Sequence, residues 1–271
     1  NYQGDIGMHV AKSLWGMQKK LKQEQLTLDV IGNKPLKERV KFMGQAYALG
    51  ATNYKENEDS KKEIELLNKK VYEGDESIAE LYNTGRKWSL DYFETIYKRL
   101  GTKFDYYYFE SNTGKEGIRL VQDALKKGIF EESDRAVVFK GEKYGLHTRV
   151  FINSEGLSTY ETKDLALAKI KSERYDYDKS IVVTASEQKE YYKVVLEAMK
   201  QIFPELAEKT KHITHGMLRL PSGKMSSRTG DVITGESLIN EVQERALEKM
   251  KDSEIENKKE IAEQRAVGAI K

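Results

Sequence analysis

Apolar residues along this 271-residue chain change their spacing several times, and each change predicts an element. Gly4-Asp5-Ile6-Gly7 reads as a strand-to-helix turn with Asp5 as candidate N-cap, and Met8, Ala11, Leu14, Trp15 and Leu21 share one face of the helix after it. Residues 52–76 are rich in Lys, Glu, Asn and Asp around a short amphipathic segment with Ile64, Leu66 and Leu67, and read as a solvated face. Ile78, Leu81, Tyr82, Trp88, Phe93, Ile96, Tyr97 and Leu100 keep helical spacing until Gly101 ends the element. The pattern then turns to alternation. Residues 104–109 predict an aromatic strand, with Tyr106, Tyr107 and Tyr108 read as strand packing, and a helix with Ile118, Val121 and Leu125 runs from there to Gly128. Residues 136–139 and 150–152 read as short strands, and 181–184 as a parallel strand buried on both faces. Residues 189–202 predict a helix with Val194, Val195, Ala198 and Ile202 inward, and from about residue 236 the chain is a long charged helical segment.

Alternating strands and helices predict an α/β sheet, interrupted by a helical insertion over residues 10–100. The organisation expected is one domain over 1–235 and, over 236–271, a helical segment leading to another layer or domain. No G-x-G-x-x-G follows a strand, which removes a dinucleotide fingerprint, and there is no internal repeat.

Composition narrows the class only a little. A charged fraction of 33% with net charge +2 describes a highly ionic surface, and neither requires nor excludes nucleic acid. The absence of cysteine excludes disulfides and thiolate metal sites. His9, His147, His212 and His215 share no metal-ligand spacing, so no metal site is expected. No apolar run is long enough for a bilayer and no signal-peptide pattern is present, so a cytoplasmic protein without membrane contact is expected.

Lys224-Met225-Ser226-Ser227-Arg228 carries the most chemistry. Gly223 and Gly230 permit close backbone approach to an anion. Lys224 offers a point charge, Arg228 a forked one, and the two serine hydroxyls can donate to phosphate oxygens. The combination suits a polyphosphate, and the alternative is a polar surface loop.

The run Gly-Lys224-Met225-Ser226-Ser227-Arg228 through Thr229-Gly230-Asp231 resembles the KMSKS signature loop of class I aminoacyl-tRNA synthetases, above all that of the arginyl-tRNA synthetases. Four further segments resemble the arginyl family's catalytic domain in the same order. They are Asn1-Tyr2-Gln3-Gly4-Asp5-Ile6-Gly7; Phe104-Asp105 through Glu110-Ser111; Tyr160-Glu161-Thr162-Lys163-Asp164; and Glu187-Gln188. The likeness covers nearly the whole chain. It implies a Rossmann-like, parallel nucleotide-binding sheet with a helical insertion and its first strand missing. It also implies joining of arginine and ATP, with Mg2+, into arginyl-adenylate, and transfer to tRNA(Arg). By the same resemblance Lys224, Ser226, Ser227 and Arg228 would stabilise the departing pyrophosphate, and Gly216, Met217, Lys224 and Met225 would hold ATP. Glu110, Tyr160, Asp164 and Gln188 would meet the substrate arginine, whose planar guanidinium is best held by carboxylates. On residues alone, Glu110 also reads as a surface carboxylate, Asp164 as the N-cap of a helix beginning at Leu165, and His215 as structural.

The family's H-x-G-H signature is absent. In the family it precedes the Asn-Tyr-x-Gly-Asp turn, so the chain reads as a piece of a longer protein, expected to be inactive alone and to self-associate through an exposed sheet edge. A lysyl-type class I enzyme and a non-catalytic binding module with the same fold are the alternatives.

Overall fold

The computed structural model describes residues 1–216, 234–254 and 256–271. In chain order the elements are β1 (Tyr2–Gln3), α1 (Met8–Gln23), α2 (Leu28–Gly32), α3 (Leu36–Glu56), α4 (Glu58–Glu73), α5 (Ala79–Arg99) and β2 (Tyr108–Phe109). There follow α6 (Glu110–Lys126), β3 (Glu131–Ser133), β4 (Ala136–Phe139), β5 (Arg149–Ile152), α7 (Tyr160–Arg174) and β6 (Ser180–Ala185). The remainder is α8 (Lys189–Ile202), α9 (Pro204–Lys209), β7 (Thr210–His215), α10 (Gly235–Lys249) and α11 (Lys258–Ile270). They gather into two compact units, one built from Asn1–Asp5 with the chain from Tyr106 to β7, the other from Ile6–Asp105 with α10 and α11.

The second unit is helical. Small residues let α1 and α3 meet backbone to backbone, since a Cβ on Gly16 would fall 1.9 Å from the Ala46 carbonyl oxygen and one on Gly50 would fall 2.0 Å from that of Lys12. The pairing order, 12 with 50 and 16 with 46, makes the two helices antiparallel. Leu14, Trp15, Met17, Ile31, Phe42, Ile64, Leu67, Leu81 and Trp88 fill the core around that contact. Helix ends are set locally: Asn57 Oδ1 accepts from Ser60 N at 2.8 Å to start α4, and Gly74, with φ of 73°, closes it. Arg99 on α5 forks onto Glu263 of α11 at 2.6 and 2.9 Å and donates to Asn240 of α10 at 2.6 Å.

The first unit carries the strands. β1 pairs with β2 in parallel, β6 pairs with β7 in parallel, and β3, β4 and β5 form an antiparallel meander. Phe130, Phe139 and Phe151 pack edge to face between the meander and α6, α7 and α8, with Val121, Leu165, Val194, Val195 and Met199.

Four expectations change. Asp5 does not cap α1, whose N-cap is Gly7 at φ 108°; its carboxylate instead accepts from Ser111 N (2.8 Å) and Ser111 Oγ (2.7 Å), at the start of α6. The strand expected over 104–109 is confined to Tyr108 and Phe109, the only two residues of it that find partners on β1. β6 is not buried on both faces: Ile181 and Val183 are 57% and 61% exposed. Helix α7 begins at Tyr160, so Asp164 lies inside it and is not an N-cap. Among the described residues no helix is long and apolar enough to cross a membrane.

Candidate functional site

In each parallel pair, the chain leaves the carboxyl ends of the strands into residues singled out above. β1 runs into Gly4 and Asp5, β2 into Glu110, β6 into the turn holding Gln188, and β7 into Gly216. The carboxyl edge of parallel strands is where open α/β folds bind ligands, because helix N-termini and short loops converge there.

Glu110 opens α6 and is withdrawn from solvent, so it is not a surface carboxylate. Its Oε2 accepts from Lys163 Nζ at 2.7 Å, an ion pair in which both side chains are nearly inaccessible. The missing side chain of Gly4 makes room for it, since a Cβ there would stand 3.2 Å from Glu110 Oε1. α6 and α7 themselves approach closely, a Cβ on Gly117 falling 2.5 Å from the Thr162 carbonyl oxygen. Tyr2 adds a hydrogen bond to Thr113 Oγ1 (2.9 Å), so the first turn of α6 is gripped from β1 as well as by Asp5.

Asp164 follows Lys163 on α7. It retains partial solvent contact, yet protein surrounds its carboxyl closely enough to push its pKa up to about 6. Burial is the main cause; the hydrogen bond from Tyr191 pulls the value down, Glu110 and Glu161 push it up, and Lys171 pulls it down. The Tyr191 hydroxyl donates to Asp164 Oδ2 at 2.5 Å, and burial, reinforced by that carboxylate, drives the phenol's own pKa upward. Glu161 is held by Arg149 at 3.4 Å, and Lys171 Nζ donates to Ser180 Oγ at 2.6 Å. Among the described residues Asp164 has no salt-bridge partner. Three carboxylates thus gather here, Glu110 and Glu161 each with a cation and Asp164 with a neutral donor.

Tyr160, 60% exposed, stands at the start of α7 with Lys163 Nζ 5.1 Å from its ring centroid. Gln188 is exposed immediately before α8. Gly216 is exposed at the end of β7, its carbonyl oxygen 2.7 Å from His215 Nδ1. The structure thus brings Glu110, Tyr160 and Asp164 into one neighbourhood on α6 and α7. Met217, Lys224, Met225, Ser226, Ser227 and Arg228 lie outside the described residues.

Sequence reasoning passed over Tyr191, Lys163 and Arg149. Tyr191 stands three residues after Gln188, a spacing that puts both on one helix face and could have drawn attention to it. Lys163 sits inside the segment already singled out, but nothing in its spacing showed that it would be buried against Glu110. His212 stacks on Tyr192 with ring centroids 4.2 Å apart and meets Thr184 Oγ1 at 2.8 Å, contacts that tie β7 to α8 and β6, and burial lowers its pKa. Among the described residues no cluster of His, Asp and Glu could hold a metal ion.

The profile of the family described as tRNA synthetases class I (R), catalytic domain, matches residues 1–271. An arginine–tRNA ligase of Clostridium botulinum is 31% identical over 272 residues, covering all of this chain and 47% of the relative. One of Treponema denticola is 32% identical over 282 residues, again covering all of this chain and 46% of the relative. The chain therefore spans about half the length of the curated relatives it matches. In fold it is similar to the solved Thermus thermophilus arginyl-tRNA synthetase, with TM-score 0.71 and 22% identity over 100% of this chain and 50% of that one. It is also similar to the Plasmodium falciparum arginyl-tRNA synthetase, with TM-score 0.60 and 20% identity over 81% of this chain and 40% of that one.

Proposed function

This chain belongs to the class I arginyl-tRNA synthetase catalytic-domain family, and from that premise we propose that it carries the arginine pocket and part of the ATP site of an arginine–tRNA ligase. The observation that supports the pocket best is Asp164: a carboxylate in a crowded site, answered by a neutral hydroxyl while its neighbours Glu110 and Glu161 already hold cations. A bound guanidinium supplies the missing charge, and a planar fork of N–H donors suits the open carboxylate oxygen. A neutral side chain would leave that charge unanswered, which is how such a site rejects it. Glu110 contributes a second carboxylate, held in place by Lys163. Tyr160 forms a wall, and Gln188 meets the polar groups of the substrate from the start of α8.

In the whole protein the arginine carboxylate oxygen attacks the α-phosphorus of ATP. The new P–O bond forms as the bond to pyrophosphate breaks, giving arginyl-adenylate, and the arginyl group then passes to the terminal ribose of tRNA(Arg). No covalent nucleophile is needed, so positioning and charge stabilisation supply the rate. Gly216 and Met217 would meet adenine through their main chain. Lys224, Met225, Ser226, Ser227 and Arg228 would close over the phosphates, where Mg2+ travelling with ATP shares the charge.

Calorimetric binding of a non-hydrolysable arginyl-adenylate analogue, beside its lysyl counterpart, tests this reading. Preference for the arginyl compound, lost in Asp164→Ala, is the expected result. Preference for the lysyl compound would overturn the substrate and leave the fold untouched.

A further inference from the structure

Tyr191 is nowhere among the residues assigned to the site above, yet it is the group that touches Asp164. Its ring is held on several sides. The Arg149 guanidinium lies 5.6 Å from its centroid, and Tyr192 meets it edge to face at 5.8 Å. Tyr192 is itself stacked on His212, which is anchored to Thr184 on β6. Arg149 comes from β5 and is tied to Glu161 on α7. The hydroxyl is therefore placed by β5, β6, β7 and α7 together, and it spends its proton on one oxygen of one carboxylate.

From this we infer that Tyr191 is a positioning residue for arginine recognition: by donating to Asp164 Oδ2 it fixes the carboxylate's rotation and leaves Oδ1 to accept from the guanidinium. The inference rests on the arginine pocket proposed above. Two donors on two oxygens is the arrangement in which a carboxylate discriminates by shape as well as charge. Without the hydroxyl, Asp164 still attracts any cation but turns more freely, so arginine loses more than lysine does. The raised pKa of Asp164 agrees, since it marks a carboxylate whose charged form is under-supported in the ligand-free chain.

The test is Tyr191→Phe in the whole chain, read by the side-chain carboxyl 13C signal of Asp164. The substitution keeps the ring and its contacts with Arg149 and Tyr192, so the thermal midpoint should barely move at pH 4, where folded Asp164 is protonated, and should fall only as pH rises past about 6. In the ligand-free chain, losing the donor should raise the titration midpoint of Asp164. The groups that face this carboxyl and share in its titration are Tyr2 from β1, Glu110 from α6, Glu161 and Lys171 from α7, and Tyr191 and Tyr192 from α8. L-arginine and L-lysine are then titrated separately against the same signal. The expected result is a roughly tenfold or greater loss of arginine affinity, the scale of one hydrogen bond to a charged group, with lysine affinity little changed. Equal arginine affinity in the parent chain and Tyr191→Phe would overturn the positioning role alone. Failure of arginine to perturb Asp164 in the parent chain would overturn the pocket itself, and the positioning role with it.

Discussion

In the helical unit, what is withdrawn from water is almost wholly apolar: Leu14, Trp15, Met17, Phe42, Ile64, Leu67 and Trp88 close around a backbone contact made by glycine and alanine. In the strand-bearing unit the buried residues include Asp5, Glu110, Thr113, Ser158, Glu161, Thr162, Lys163 and Ser180, and among the described residues every buried polar or charged side chain falls there. Apart from the half-buried Arg99–Glu263 fork, ion pairs in the helical unit sit toward its surface, such as Lys87–Asp91 at 2.7 Å, where pairing adds little. Charges inside a protein cost several kcal/mol each unless paired and hydrogen-bonded, so a unit that concentrates them gives up stability for something else. On the arginine pocket proposed above, that something would be a preorganised place for a cationic ligand. The helical unit follows from packing; the strand-bearing unit carries charges that packing alone does not ask for.

The comparison breaks first at Lys163. Lys163→Met leaves Glu110 inside the protein without its cation and should destabilise the chain by about 3 kcal/mol or more in urea unfolding. Adding Glu110→Leu should recover most of that loss, because an apolar pair of similar volume has no desolvation penalty. A single variant as stable as the parent would show that the pair is not buried in solution. Gly16→Ala is the matching test on the helical side. Its methyl would meet the Ala46 carbonyl oxygen at 1.9 Å, so α1 and α3 must part, at a cost of about 2–3 kcal/mol that no second polar substitution relieves.

Asp164→Asn should act in the opposite direction. The folded-state pKa of Asp164, about 6, lies above its ordinary value of 3.8. The folded chain therefore binds this proton more tightly than the unfolded one. The stabilising contribution is complete below the unfolded value and is lost as pH rises through about 6. Asparagine escapes the loss, so the variant should be more stable than the parent by about 2–3 kcal/mol above pH 7, with the gain vanishing near pH 4. It should also lose arginine binding. A neutral effect on stability across the pH range would mean that water reaches the carboxyl freely.

The two units also differ in how far they could be read from the sequence. Periodicity found the helices well, because one apolar face per helix is all their core requires: residues 189–202 coincide with α8, and Leu14, Trp15, Ile64 and Trp88 are buried as their spacing implies. It failed on strands. Two residues of pairing, as in β2, leave no period to detect, and β6 shows an apolar face to solvent that local pattern cannot distinguish from a buried one. For the proposed site, Glu110, Tyr160 and Asp164 could be singled out because order and residue type carry the motif, and the structure places them in one neighbourhood. Lys163 against Glu110, Asp5 against Ser111 and Tyr191 against Asp164 were not, since each joins segments 27 to 106 residues apart through tertiary packing.

The smallest effect is expected at Trp15, where the helical unit makes its own exception. The ring is buried, but its Nε1 donates to Glu63 Oε2 at 2.6 Å, and Glu63 also holds Lys19 at 2.9 Å from a half-exposed position. A polar atom in an apolar core is thus satisfied from the surface, without a buried charge. The bond from Trp15, and after it that from Lys19, lowers the Glu63 pKa below its ordinary 4.5. Its contribution is therefore present above that value and is lost as pH falls through the depressed folded-state value. Trp15→Phe keeps most of the ring and removes the donor, so it should cost about 1 kcal/mol at neutral pH, part of it smaller volume. The hydrogen-bond share of that deficit should fade in acid, while the volume share persists. If the whole deficit is unchanged by pH, the bond to Glu63 contributes nothing, and the apolar character of the helical unit is complete. If instead the loss rivals that of Lys163→Met, the helical unit depends on a polar contact as heavily as the unit that carries the site, and the contrast between the two fails.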